Sequence, residues 1–322
     1  MKHRQQEAPN AVQVEPSEGC NLRCEFCGLR GIREEGSDKG YKFMTVQTAE
    51  RLGAEMKRLG WTSRLELAMH GEPTMNMHLP NIVAVLRMRL PRNSIMLTTN
   101  GGGLLGAGGP IVRATALFDA GVNTIAVDDY KAVQIGAKLR FGLNGAPFQI
   151  LDYPKDPTAS PHSRQPPKSR RLIFIEDISV AEQGTHSALN NHAGAAAPPE
   201  QLKARCAKPF RELSLRWDGS VAICCNDWRG VYKVANLNQT PLDALWQHPR
   251  LEAARRLLYL GDRASLAPCD ACNAKSYRVG LLPDRMGKET MPKPDAGTRA
   301  LVKQATGGNP YTPAVKRDWE AK

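Results

Sequence analysis

Cysteines 20, 24 and 27 lie on one short stretch, Cys20-Asn21-Leu22-Arg23-Cys24-Glu25-Phe26-Cys27. Three thiolates this close together can hold three irons of a cubane cluster. Such clusters normally take four cysteines, and no fourth stands near by, so one iron is left with an open coordination position. Zinc is the competing reading, but structural zinc takes four ligands, commonly from C-x2-C pairs. Only Cys24 and Cys27 form such a pair here. A second set, Cys206, Cys224, Cys269 and Cys272, supplies four thiolates, which suit an auxiliary cluster or a zinc ribbon alike. Cys225 is left over, as a thiol donor or as a small buried core residue.

The elements around these cysteines alternate between strand and helix. Val12 and Val14 form a short strand leading to Cys20. Thr45 reads as the N-cap of a helix with apolar residues at Val46, Ala49, Leu52, Met56 and Leu59, which Gly60 ends. Leu65, Leu67 and Met69 make a strand running into His70-Gly71-Glu72-Pro73. A helix over 79–90, a strand at Ile95–Thr98 ending in Thr99-Asn100-Gly101, a helix from Ile111 to Phe118 and a strand from Val122 to Asp128 follow. Phe148–Leu151 and Leu172–Ile175 are further strands. This alternation indicates parallel strands covered by helices. Polar residues at several strand ends fit an α/β fold of full or partial (β/α) barrel type.

From Cys206 onward the pattern changes. Leu213–Trp217 and Val221–Cys225 flank an Asp218-Gly219 turn and read as a β-hairpin. A helical stretch from Leu242 to Leu258 follows, interrupted at Pro249, and Cys269-Asp270-Ala271-Cys272 closes the set. The expected division is a flexible N-terminus (1–11), a core (12–180), an interdomain linker (181–205), a small β-hairpin and helix subdomain holding the second cysteine set (206–275) and a basic polar tail (276–322).

The C-x3-C-x2-C loop, with an aromatic residue (Phe26) before its last cysteine, resembles the signature of the radical S-adenosylmethionine (SAM) enzymes. The resemblance covers residues 12–275. It implies that Cys20, Cys24 and Cys27 bind a [4Fe–4S] cluster whose open iron chelates SAM, and that reductive cleavage of SAM gives a 5′-deoxyadenosyl radical. Gly71 and Glu72 stand where the family carries a Gly-Gly-Glu motif that holds the SAM amino group, with His70 in place of the first Gly. By the same resemblance Asn100 faces the SAM site. Asp128, at a strand end, reads as an acceptor for the ribose hydroxyls of SAM or as a surface aspartate. The second cysteine set is similar to the twitch subdomain, the short relative of SPASM, which binds one auxiliary [4Fe–4S] cluster. Such enzymes draw electrons from a flavodoxin- or ferredoxin-type donor.

The chain of 322 residues carries eight cysteines and a formal net charge of +12, with a pI near 9.4. No apolar run is long enough to span a membrane, and the first residues lack the apolar core of a signal peptide. A reducing, cytoplasmic setting is expected, where clustered cysteines read as metal ligands. The positive charge favours a polyanionic partner, with DNA first. The Pro-rich stretch 154–171, with Lys155, Arg164, Lys168, Arg170 and Arg171, reads as a disordered surface loop or as a basic arm touching phosphates. The leading expectation for function is isomerisation of an amino-acid-modified thymine in DNA, from N-linked to C-linked, as in phage thymidine hypermodification. The alternatives are maturation of a ribosomally made peptide, oxidation of a small alcohol, and a non-catalytic zinc-stapled nucleic-acid-binding protein.

Overall fold

The computed structural model describes residues 8–29, 40–130, 134–156, 158–176, 190–200, 202–274 and 293–307. The expected flexible N-terminus up to residue 7, the core–linker boundary at 180 and much of the tail lie outside them.

Seven strands run parallel: β1 (Ala11–Val14), β4 (Arg64–Leu67), β5 (Ile95–Thr99), β6 (Thr124–Asp128), β7 (Gln149–Tyr153), β8 (Arg171–Ile175) and β9 (Glu212–Leu215). With β10 (Ser220–Ala222) and β11 (Lys233–Asn236), both antiparallel, they form one sheet in the order β11-β10-β9-β1-β4-β5-β6-β8-β7. This is an open, partial barrel. Two features depart from simple succession. β8 inserts between β6 and β7, and β9 pairs with β1, so the sheet of the core continues into the C-terminal subdomain. A separate ribbon joins β2 (Ser17–Glu18) to β3 (Lys42–Phe43) beside the N-terminal cysteines.

Alternation along the strands sorts their side chains into two faces. Val12, Val14, Leu65, Leu67, Ile95, Leu97, Ile125, Val127, Leu172 and Phe174 are buried on the outer face. There they meet helices α1 (Val46–Arg58), α2 (Leu79–Arg89), α3 (Gly109–Ala120) and α4 (Ile135–Gly142), through residues such as Leu52, Met56, Ile82, Leu86, Leu117 and Leu139. Each such side chain contributes roughly 1.5–3 kcal/mol through burial. Helix α1 begins where the sequence indicates, with Thr45 Oγ1 accepting from Thr48 N at 3.1 Å.

The inner face is polar. In register across it stand Ser214, Gln13, Glu66, Met96, Thr124 and Arg171. The N-terminal ends of the strands are closed by the loop between β7 and β8. Arg171 is only 5 % exposed and donates to the carbonyls of Thr158 and Ser160 and to Ser163 Oγ at 3.2–3.3 Å. Asn123 Nδ2 donates to the carbonyls of Pro166 and Pro167, and Gln165 N donates to Ser94 Oγ. Arg64, also buried, donates to the carbonyl of His162. The described part of the stretch is therefore packed against the strand ends rather than disordered, while Lys155, Arg164, Lys168 and Arg170 stay exposed. Arg171 is an internal staple, and Arg170 is engaged with Asp119 at 2.7 Å. Composition showed the charges but not that β8 would draw one of them inward.

In the C-terminal part, α5 (Lys208–Arg211) precedes β9, and the helical stretch after the hairpin splits at Pro249 into α6 (Leu242–Trp246) and α7 (Pro249–Leu260). Within the expected tail, Asp295 caps α8 (Ala296–Ala305), which packs on α7 and buries Val302 and Ala305.

Candidate cofactor site

The N-terminal cysteine loop sits at the C-terminal ends of β1, β4 and β5 through backbone contacts. Gly71 forms an isolated parallel bridge with Gly19, and Glu72 N donates to Gly19 O at 2.9 Å. A Cβ at Gly71 would run into the backbone oxygens of Ser17 and Gly19, so only glycine admits this approach. Gly71 thus seats the segment leading to Cys20.

Glu72 is buried, and its carboxylate accepts from Thr74 N (3.0 Å), Thr74 Oγ1 (2.5 Å), Thr99 Oγ1 (2.6 Å) and Asn100 N (2.7 Å). Burial pushes the carboxyl upward, while the hydrogen bonds from Thr74, Thr99 and Asn100 oppose that shift. The arrangement locks the end of β4 to the end of β5. Asn100 completes the junction: its Nδ2 donates to Cys20 Sγ at 3.4 Å and to Asn21 Oδ1 at 2.9 Å.

The Cys20 thiol is pushed up to about 11 by burial, with Glu72, Cys27 and Cys24 adding to the shift and an N–H from Leu22 opposing it. Phe26 packs on Tyr130, with ring centroids 5.1 Å apart. Tyr130 OH in turn donates to Asp128 Oδ2 at 3.3 Å. Burial, Asp128, Cys24 and Cys27 together hold the Tyr130 phenol well above its usual range. The structure therefore gathers Cys20, Cys24, Cys27, Phe26, Glu72, Asn100 and Asp128 at one end of the sheet. There the inner face opens at Ala68, Thr98 and Asp128, which are half-buried.

The second set is deeper. Cys206, Cys269 and Cys272 are buried and Cys224 is partly so. Burial pushes the Cys224, Cys269 and Cys272 thiols upward, and neighbouring cysteines add to these three shifts, Cys225 most of all for Cys224. A metal reverses that preference by taking the thiolates as ligands. N–H groups already point at these sulfurs: Asn226 N at Cys224 and Ala274 N at Cys272, both at 3.4 Å. Among the described residues, no three His, Cys, Asp or Glu side chains close around a single metal ion. The thiols of each set are nonetheless near enough to repel one another as thiolates, and with N–H donors at Cys20, Cys224 and Cys272 their donor chemistry fits iron–sulfur clusters.

Arg263 holds this subdomain together and was not singled out in the sequence. It is 2 % exposed and donates to the carbonyls of Ala204, Arg205, Cys272 and Ala274. One guanidinium thereby ties the segment before Cys206 to the segment at Cys272. Cys225 is partly exposed and is no small core residue: Lys208 Nζ donates to its Sγ at 3.0 Å.

Comparison with known proteins agrees with this architecture. Residues 14–128 match the radical SAM superfamily, and residues 206–273 match SPASM, an iron–sulfur cluster-binding domain. GTP 3′,8-cyclase 2 of Mycobacterium tuberculosis is 34% identical over 122 residues, 37% of this chain and 30% of that protein. GTP 3′,8-cyclase of Tolumonas auensis is 30% identical over 116 residues, 36% of this chain and 31% of that protein. The match spans less than a third of the length of these relatives. The structure of BtrN in complex with AdoMet and 2-DOIA superposes with a TM-score of 0.61 at 19% identity, covering 83% of this chain and 94% of BtrN, and shows the same fold. The chain carries a radical SAM domain followed by a SPASM-type domain, and its cofactors are SAM, the [4Fe–4S] cluster that binds it and an auxiliary iron–sulfur cluster.

Proposed function

We propose that the chain oxidises a small hydroxyl-bearing molecule to its carbonyl, the substrate losing a hydrogen atom to the SAM-derived radical, a proton to solvent and an electron for which the auxiliary cluster would be the acceptor. One observation carries this reading. The inner face is half-buried at Ala68, Thr98 and Asp128, at the same end of the sheet as the Cys20 loop, while the β7–β8 loop covers its far end. An opening of this kind, with Asp128 as an acceptor at its edge, suits a small polar molecule beside SAM.

Cys20, Cys24 and Cys27 would hold the SAM-binding cluster, and Cys206, Cys224, Cys269 and Cys272 the auxiliary one. When bound, the reduced cluster and SAM supply a 5′-deoxyadenosyl radical. The chain's own residues set the geometry. Asn100 Nδ2 fixes Cys20 Sγ, and Glu72 fixes Asn100 through its backbone N–H. Asp128, held by Tyr130, offers acceptor oxygens to a hydroxyl, whether of the ribose or of the substrate. Phe26 and Tyr130 pack ring to ring beside the loop and would shield one side of it. A flavodoxin- or ferredoxin-type protein is the proposed reductant.

Thymine isomerisation in DNA rests on the net charge of +12 and on the 155–171 stretch. With Arg171 drawn inside the chain, Lys155, Arg164, Lys168 and Arg170, the last paired with Asp119 at the surface, remain as its basic face. The test is the rate of 5′-deoxyadenosine formation with SAM and dithionite in the presence of amino-polyols, duplex DNA or peptides. Stimulation by a polyol with formation of its carbonyl product supports the proposal. Stimulation by DNA alone replaces it.

A further inference from the structure

The two cysteine sets are joined by a stack of three rings. Trp228 lies four residues beyond Cys224. Its indole stacks on the His192 imidazole with centroids 4.9 Å apart and planes 10° apart. The His70 imidazole packs against the same indole at 4.7 Å, tilted by 58°. Each partner reaches a different cysteine loop. His192 Nδ1 accepts from Gly28 N, the residue after Cys27, at 3.0 Å. His70 Nε2 lies 2.9 Å from the carbonyl of Cys225, the residue after Cys224. Its Nδ1 lies 2.6 Å from Glu15 Oε1, at the end of β1. A carbonyl only accepts, so Nε2 donates to Cys225.

We propose that His70, Trp228 and His192 are positioning residues through which the auxiliary cysteine site sets the seating of the N-terminal cysteine loop. Three observations support it. A Cβ at Gly28 would lie 2.6 Å from the indole, so the loop bears directly on Trp228. His192 has a φ of +49°, a left-handed conformation that costs a non-glycine residue energy and persists only where its surroundings enforce it. Those surroundings are at the auxiliary site: Asn191 donates from Nδ2 to the carbonyl of Ala271, and its backbone N–H donates to Asn273 Oδ1, on either side of Cys272. The buried indole N–H has no hydrogen-bond partner among the described residues, so Trp228 is held by ring packing. Residues 190–196, which composition marks as linker, therefore tie Cys272 to Cys27. His70, where the family's motif carries glycine, ties β4 to Cys225.

The inference rests on the two-cluster reading, and the experiment separates the two. Anaerobically reconstituted protein is reduced, and the electron paramagnetic resonance (EPR) change of the N-terminal cluster on adding SAM is recorded, with and without Cys272→Ala to remove the auxiliary cluster. The pair is compared in wild type, Trp228→Phe and Trp228→Leu. Cys272→Ala is expected to alter the SAM-induced change in wild type and in Trp228→Phe, which keeps a ring, and to have no further effect in Trp228→Leu. An equal effect in all three backgrounds, or none in any, overturns the proposal. If circular dichroism shows Trp228→Leu unfolded, His192→Ala breaks the stack at its other end under the same criterion. Wild-type iron and sulfide amounting to a single cluster removes the two-cluster reading and this inference together, whereas two clusters without coupling remove the inference alone.

Discussion

Asn100 Nδ2 donates to Cys20 Sγ at 3.4 Å, so the end of β5 bonds directly to the first cysteine of the loop. Hydrogen bonds to cluster and ligand sulfurs raise reduction potential, because they favour the more negative reduced state. Asn100→Ala is expected to lower the potential of the N-terminal cluster, read by EPR-monitored redox titration, while iron content holds. An unchanged potential would show that this contact does not act on a cluster.

The Glu72 carboxylate accepts four protein donors and lies out of water. Glu72→Gln puts an amide N–H2 among groups that need acceptors. Leaving one buried donor unpaired costs about 1–3 kcal/mol, so the melting temperature should fall, with weaker SAM binding by equilibrium dialysis. Normal stability with SAM binding lost would instead assign Glu72 to the cofactor alone.

Arg263 satisfies four carbonyls around the auxiliary cysteines. Arg263→Met leaves the buried carbonyls of Cys272 and Ala274 without this donor, at a cost of about 1–3 kcal/mol each. The purified variant should lose auxiliary iron while keeping the N-terminal cluster. Full iron content would mean that the subdomain closes without this side chain.

Arg171 and Lys168 stand three residues apart yet should behave differently. Arg171→Leu is expected to lower the melting temperature by several degrees, since it unpins the β7–β8 loop, while Lys168→Ala changes it little. If the chain binds duplex DNA, neutralising Lys155 and Lys168 should flatten the dependence of affinity on salt. A flattened slope with unchanged stability in Arg171→Leu would restore that residue to a phosphate-contacting role.

Much of this fold could be read from the chain because local pattern and tertiary role coincide. The Thr45 cap, the alternation in β4 to β6, the Asp218-Gly219 hairpin and the break at Pro249 are all set by nearby residues. What escaped depends on contacts far apart in sequence. The order β6-β8-β7 and the pairing of β9 with β1 leave no local signal. Helix α4 spans only 8 residues, so Ile135 and Leu139 make too short a run to mark it. At the site, the spacing of Cys20, Cys24 and Cys27 was plain in the sequence. The reason for Gly71 was not, since it lies in the approach of the segment before Cys20. Trp228, His192 and Arg263 sit among residues of ordinary composition, and only the fold brings them to the cysteines.

Metal and sulfide analysis of anaerobically reconstituted protein, joined to a SAM-cleavage assay with dithionite, bears most directly on the proposed ligand sets. The expected result is about eight irons per chain with 5′-deoxyadenosine formed, about four irons remaining in Cys20→Ala, and no 5′-deoxyadenosine from that variant. A wild-type chain holding zinc, or holding two clusters without ever releasing 5′-deoxyadenosine, would contradict it.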